Sequence, residues 1–365
     1  MRVFFAVLNM GLGHATRSLP LIRALLARGD RVTLGGSGRS LQLLRQELGG
    51  VGFVELPDYN IEYTDRGADL GRLVARTPDL MRIVAAEHAV LAAHLVTEGA
   101  DLVVSDHRYG CWSRKVPSWF LAHQLRFAAP PFFRPFEFVG ALFNRGLHRR
   151  FSGGVLVPDL LEGEGGLLSG RLARPYGLAR PSTAARYHYP GILSSLARRD
   201  GLDRDVDVFV SVSGPEPQRT VLERIVREQI RAVPGRRVVA LGRPESDVVE
   251  EPEPGLTFHA HLDRRRMEEY MNRCRLLVAR SGYSTVMEAV ELGKPALWIP
   301  TPGQTEQVYL AERLRAKGWF HAVAQRDLDL ARDVPRALEC PGPGQPLRTA
   351  DTVARVMDLL TLQEG

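Results

Sequence analysis

Apolar residues in this chain come in short, nearly continuous runs separated by longer stretches with helical spacing. The first run, Val3-Phe4-Phe5-Ala6-Val7-Leu8, has no polar position, which is the pattern of a strand buried on both faces. The sequence predicts a strand over 2–8, a glycine loop over 9–14, a helix over 16–28 ending at Gly29, and a second strand over 31–35. An amphipathic stretch follows at 69–98, with further strands at 101–105, 118–122 and 154–159. Strands alternating with helices in this way predict a parallel sheet covered by helices.

Residues 162–186 are rich in Gly, Arg, Pro and Ser and break the periodicity, which suits an interdomain connection. A second series then begins. It has strands at 207–212, 236–241, 256–260, 275–279 and 296–300, and helices near 218–232, 263–273, from 285 and over 304–317. The expected fold is α/β, with two facing Rossmann-like doubly wound domains and a cleft at the carboxyl ends of both sheets. The domains are expected at 1–170 and 191–345, with a linker at 171–190. The last helix, within 346–365, is expected to pack back on the N-terminal domain.

Composition narrows the class. With 44% hydrophobic and 25% charged residues the 365-residue chain reads as soluble and globular. It has no uninterrupted run of about 18 apolar residues, and its start reads as a strand, not a signal peptide. Cys111, Cys274 and Cys340 are isolated and form no metal-ligand pattern, which suits a reducing cytoplasm. The net charge of +6 fits an anionic partner, but no nucleic-acid-binding motif is present.

Gly11 and Gly13 flank Leu12 in the first strand-to-helix loop, where backbone amides and a helix dipole can face an anion or an acceptor group. A dinucleotide site would need a third glycine and an acid closing the second strand. Position 16 is Thr, and the second strand ends Thr33-Leu34-Gly35-Gly36, so such a site is not expected. His14 at this loop suits a general base acting near neutral pH, or else a helix-end residue. Asp106, closing the strand 101–105, could orient and stabilise its imidazolium, or serve as a turn residue. His107 and Arg108 are adjacent alternatives.

The densest signal is RSGYSTVMEAVELGKPALWIPTPGQTEQ over 280–307. Ser281-Gly282 between a strand and a helix can cradle a diphosphate on backbone amides. Glu288, one turn inside, can accept two ribose hydroxyls, while Thr285 and Glu288 also have the spacing of a capping box. Glu306 and Gln307 follow the next strand and can read sugar hydroxyls. Ser213-Gly214 repeats the strand-then-glycine arrangement, as a phosphate contact or a plain turn.

These residues resemble the donor-binding signature of GT-B glycosyltransferases similar to the bacterial lipid II-forming N-acetylglucosaminyltransferase. The matching positions are Arg280, Ser281, Gly282, Thr285, Glu288, Gly293, Pro295 and Gln307. Gly11, Gly13 and His14 stand where that family has its glycine-rich loop and histidine. The resemblance implies a UDP-sugar donor, with Glu288 on the ribose and Gln307 on the sugar. The base would rest near His261-Leu262, and the diphosphate near Ser213, Gly214, Ser281 and Gly282. It also implies inverting transfer of a hexose such as N-acetylglucosamine to an acceptor hydroxyl, with His14 as base. Neither a metal nor a cofactor beyond the donor substrate is implied. The glycine loop carries fewer glycines than that family's, and 105–112 and 126–151 have no counterpart in it, so its acceptor is not carried over.

The 126–151 stretch interleaves phenylalanines and arginines. It suits docking on an anionic bilayer or a lipid-linked acceptor, or a buried segment with surface arginines. The expected location is cytoplasmic, peripheral at the inner face of the membrane. Two rivals share the scaffold: a nucleotide-sugar hydrolase that uses water as acceptor, and a non-catalytic nucleotide-sugar-binding subunit.

Overall fold

The computed structural model describes residues 1–59, 70–126, 137–175, 186–344 and 347–361. The chain divides into two compact units. The first runs to Ser195 and takes in the helix at the chain's end; the second is built on Leu196–Leu347.

In the first unit, β1 (Arg2–Val7), β2 (Arg31–Gly36), β3 (Gly52–Glu55), β4 (Leu102–Asp106), β5 (Ser118–Leu121), β6 (Gly154–Leu156) and β9 (Tyr187–His188) form one sheet. Its order is β3-β2-β1-β4-β5-β6-β9, and each neighbouring pair is parallel. Between β6 and β9 lies a two-stranded antiparallel pair, β7 (Leu161–Glu162) and β8 (Gly165–Gly166). Side-chain alternation along β1 explains why the run is apolar throughout. Val3, Phe5 and Val7 pack with Leu19, Ile22 and Leu25 of α1 (Gly13–Ala27), while Phe4 and Ala6 join Leu91 and Val103 on the other face.

Val356 and Leu360 of the helix Thr349–Thr361 join the α1 side of this core. Arg355 donates to the Pro190 carbonyl at 2.7 Å, and the Ser194 amide to Thr349 Oγ1 at 2.8 Å. The first unit thus continues past the expected 171–190 linker, because β9 pairs with β6.

The second unit has β10 (Val206–Ser211), β11 (Arg237–Ala240), β12 (Val249–Glu253), β13 (Leu256–His259), β14 (Cys274–Ala279), β15 (Ala296–Trp298) and β16 (His321–Ala322). The order is β12-β13-β11-β10-β14-β15-β16. Only β12 runs antiparallel to its neighbour. The helices of this unit include Gln218–Gln229, Tyr283–Leu292 and Thr305–Ala316.

The expected doubly wound α/β topology is present in both sheets, since each reverses its winding direction once. The reversal lies between β1 and β4 in the first and between β10 and β14 in the second. Ligands of such sheets bind outside the strands' carboxyl ends at these positions.

Among the described residues one stretch, Thr77–Thr97 of the helix Leu70–Thr97, is long and apolar enough to cross a membrane by length and composition. Its Leu91 and Val84 are buried in the first unit, and its Glu87 is ion-paired within the fold.

Candidate active site

The switch point of the first sheet gathers titratable side chains. Asp106 closes β4, level with Val7 of β1, and is fully buried. Helix α1 begins at Gly13, after a loop in which Gly11 takes a φ of +68°. His14, Arg17 and Ser18 lie three and four residues apart, so one face of the helix presents all three.

His14 Nδ1 lies 2.8 Å from Asp106 Oδ1. Arg17 Nε donates to Asp106 Oδ2 at 2.8 Å and its Nη2 to Oδ1, while Ser18 Oγ donates to Oδ2 at 2.9 Å. A carboxylate only accepts, so the first bond puts the proton of a neutral His14 on Nδ1 and leaves a lone pair on Nε2. No hydrogen bond from a described residue occupies that Nε2.

Burial, then the Arg17 charge, holds the His14 pKa down at about 4 against the pull of Asp106. Burial pushes the Asp106 carboxyl up, but Arg17 and His14 outweigh it and hold the group well below its usual range. His107 lies well below the usual histidine value, chiefly through burial. The site therefore combines a charged carboxylate, a charged guanidinium and neutral imidazoles, which suits proton abstraction.

His14, Asp106 and His107 offer ligand atoms within 4.8 Å of one another. Arg17 Nη2 lies 2.9 Å from His14 Nδ1 and 3.0 Å from His107 Nδ1, and it donates to Asp106 Oδ1. A guanidinium thus places a positive charge among them.

His107 holds a left-handed φ of +55°, a conformation bulky side chains avoid. The next residue anchors it. Arg108 is fully buried and donates to the Val7 carbonyl at 3.0 Å, Ser37 Oγ at 2.6 Å, Glu87 Oε1 at 2.7 Å and the Pro57 carbonyl. Glu87 also accepts from Tyr59 Oη at 2.6 Å and the Gly110 amide at 3.0 Å. Of the two neighbours weighed beside Asp106, His107 reaches the cluster while Arg108 ties three loops together from beneath.

The second switch point is built differently. Ser281 and Gly282 follow β14, and Gly282 is the N-cap of the helix Tyr283–Leu292, with no side-chain capping bond and no acid in the first turn. Thr285 therefore lies inside the helix, and the capping-box reading of Thr285 and Glu288 gives way. Gly214, after β10, takes a φ of +121°, where a side chain would be strained.

Arg280 is buried beneath these loops. It donates to the carbonyls of Ser213 (3.3 Å), Gln218 (2.9 Å), Ile299 (3.1 Å) and Pro300 (3.3 Å), and to Gln325 Oε1 (2.6 Å). Burial lowers its pKa to about 10. With its donors directed at these partners, Arg280 shapes the loops instead of facing a donor directly. Gln307, half-buried, braces its own loop: its Oε1 accepts from the Thr301 amide at 2.8 Å and its Nε2 donates to Gln304 Oε1 at 2.5 Å. Glu306 stands in the first turn of the helix Thr305–Ala316. His261, exposed, and Leu262, buried, follow β13. The residues of 280–307, with Ser213 and Gly214, thus gather at the carboxyl ends of β10, β14 and β15, and His261 and Leu262 at that of β13.

Sequence reasoning missed Arg17, Ser18 and His123 in the first cluster. The i, i+3, i+4 spacing from His14 marks the first two; His123, in the loop after β5, had no local signal.

Residues 255–339, spanning most of this second constellation, match the glycosyltransferase family 28 C-terminal domain. An uncharacterized glycosyltransferase of Methanosarcina acetivorans is 26% identical over 340 residues, covering 87% of this chain and 82% of that protein. The chain is a glycosyltransferase of the GT-B fold. Its backbone resembles the kitacinnamycin glycotransferase with a TM-score of 0.62 at 18% identity, over 100% of this chain and 96% of the other. Acinetobacter baumannii MurG gives a TM-score of 0.59 at 13% identity, over 99% of each chain. In this transferase the conserved-fold scaffold places one constellation at each sheet's switch point.

Proposed function

We propose that this glycosyltransferase is an inverting, metal-independent enzyme that moves a hexose, N-acetylglucosamine as first candidate, from a UDP-sugar to an acceptor hydroxyl. The observation that carries the reading is the His14–Asp106 bond, which leaves Nε2 of a neutral, buried imidazole unprotonated. Nε2 takes the acceptor proton as the acceptor oxygen attacks the anomeric carbon. The bond from that carbon to the diphosphate oxygen breaks, and its electron pair leaves with the diphosphate. Asp106 stabilises the imidazolium. Amides at the Gly282 helix start receive the diphosphate charge, Glu288 takes the ribose hydroxyls, and the loop carrying Glu306 and Gln307 meets the sugar. Arg17 already supplies the fixed positive charge beside Asp106, so the proton step calls for no metal.

Thermal-shift and calorimetric panels of UDP, GDP, dTDP and their sugars test the donor half. Selective stabilisation by one nucleotide fixes the donor for an acceptor screen, and the anomeric configuration of the product reads out inversion. No response to any nucleotide overturns the reading.

The same proposal includes a peripheral membrane site on the cytoplasmic side, with a lipid-linked acceptor. Phe138, Leu142 and Phe143 of the helix Glu137–His148 are 47%, 44% and 43% exposed, and Arg149 and Arg150 follow, also exposed. Exposed aromatics beside arginines favour the docking reading of this stretch over burial. Phe132 and Phe133 lie outside the described residues. Sedimentation with phosphatidylglycerol vesicles should show salt-sensitive binding that falls several-fold in Phe138→Ser/Phe143→Ser; equal binding by the variant removes the membrane claim.

A further inference from the structure

One guanidinium touches the carboxylate and all three imidazoles of the first switch point. Besides its two edges on Asp106, Arg17 meets His14 Nδ1 at 2.9 Å, His107 Nδ1 at 3.0 Å and His123 Nδ1 at 2.6 Å. The three rings surround it as a triangle with centroid separations of 5.0, 5.2 and 6.1 Å. Arginine only donates, so His123 Nδ1 must accept from it, and a neutral His123 carries its proton on Nε2. His14 Nδ1 lies between Asp106 Oδ1 at 2.8 Å and Arg17 Nη2 at 2.9 Å. With the two Nη2 hydrogens given to Asp106 Oδ1 and His107 Nδ1, it donates to the carboxylate and has the opposite tautomer. The two imidazoles thus carry chemically opposite Nε2 atoms, one a base and one a donor.

We propose that Arg17 is the positioning residue of the transfer reaction, fixing Asp106 and the histidine tautomers so that His14 keeps an unprotonated Nε2. The proposal rests on the reading of His14 as the base. Each element packed here contributes a group facing His14: Arg17 and Ser18 from its own helix, Asp106 and His107 at the end of β4, and His123 after β5.

Without Arg17, Asp106 would be a buried carboxylate whose positive partner has gone. A proton on His14 then restores the balance, and the base is lost as pH falls below about 6.5. Lysine keeps the charge but cannot grip both carboxylate edges and the imidazoles with one planar fork.

The test is a pair of measurements on wild type, Arg17→Met and Arg17→Lys. The first is an NMR titration of the His14 ring, identified by the resonance missing in His14→Asn; it needs no substrate. In wild type His14 should titrate near 4; in Arg17→Met, with burial still lowering it but the Arg17 charge gone and Asp106 still raising it, it should rise toward the ordinary 6.5. The second is the pH profile of kcat/KM. Its acid limb should move up by about 2.5 pH units in Arg17→Met, activity near pH 6 should fall about fourfold, and recovery should come by about pH 8.5. Arg17→Lys should fall between the two, and it carries the comparison if the methionine variant does not fold.

A wild-type His14 that titrates at 6.5 or above overturns the proposal. So does an unmoved titration in both variants, or an activity loss that is the same at every pH. If the titration moves as expected but wild type transfers no sugar, the assignment of His14 as base fails while the control of its protonation by Arg17 stands.

Discussion

The two switch points occupy equivalent places in two sheets of the same winding, yet they are made of different material. The first is crowded with side chains: a carboxylate, a guanidinium and three imidazoles, buried and bonded to one another. The second is mostly backbone: Gly214, Ser281-Gly282 and a helix start without a capping side chain, held from below by Arg280. Buried titratable groups in contact shift each other's protonation, which is what proton transfer needs. Backbone amides carry a fixed partial charge and no proton to exchange, which is what binding a diphosphate needs. The fold supplies two crevices, and on the proposed reading their different material suits one to chemistry and the other to grip.

The sharpest way to break this comparison is His14→Asn. It should lower kcat by about 10²–10⁴-fold, the usual worth of a positioned general base, while calorimetry finds nucleotide affinity unchanged within about threefold. A parallel loss of nucleotide affinity would merge the two functions and end the distinction. Asp106→Asn should cost less than His14→Asn, because the imidazole remains but can rotate to the wrong tautomer.

The next effect is on stability and concerns pH. His14 has a folded pKa of about 4 and His148 of about 3, both chiefly through burial, and His107 is held well below its ordinary value. All three belong to the first unit. A histidine whose folded pKa lies below its unfolded value contributes its full stability above about pH 6.5, and loses it as pH falls from there toward the folded pKa. Each unit of that descent costs about 1.4 kcal/mol per fully shifted group. Asp106 has the opposite charge bookkeeping, and its contribution is lost only below the ordinary carboxylate range. Calorimetric scans at pH 7.5, 6 and 5 should therefore show the melting of the first unit fall well before that of the second. Coincident decline of both units would show that these histidines are not buried neutral.

Much of this architecture was legible in the sequence because parallel strands buried on both faces are written as continuous apolar runs. β12 was not, since Val249-Glu250-Glu251-Pro252-Glu253 is a charged edge strand with no apolar signal. The helix Gly38–Glu47 was also missed: it follows β2 almost directly, through Ser37 and a Gly38 with a φ of +50°. At the sites, His14 and Asp106 were readable as strand-end and loop residues that could meet. The triangle of imidazoles was not, because it joins positions 14, 107 and 123 and depends on an arginine whose helix face only the fold reveals. Gln307 is a different case: its type and place were legible, but its hydrogen bonds to the Thr301 amide and Gln304 were not, because they depend on how the loop folds.

The smallest expected effect gives the finest test of the second site. Glu288→Gln keeps the size and hydrogen-bonding reach of the side chain but leaves one oxygen acceptor where the carboxylate has two. If Glu288 held two ribose hydroxyls, donor affinity should fall about tenfold, in line with a hydrogen bond to a charged group, and the pH profile of kcat should keep its shape. A helix-capping role would predict something else, because Gln serves a capping box as well as Glu, so binding would be untouched. Gly282 already occupies the cap position of this helix, which favours the first outcome. A normal donor affinity in Glu288→Gln, with His14→Asn still inactive, would leave the proton site intact and require the ribose to be held elsewhere in the second unit.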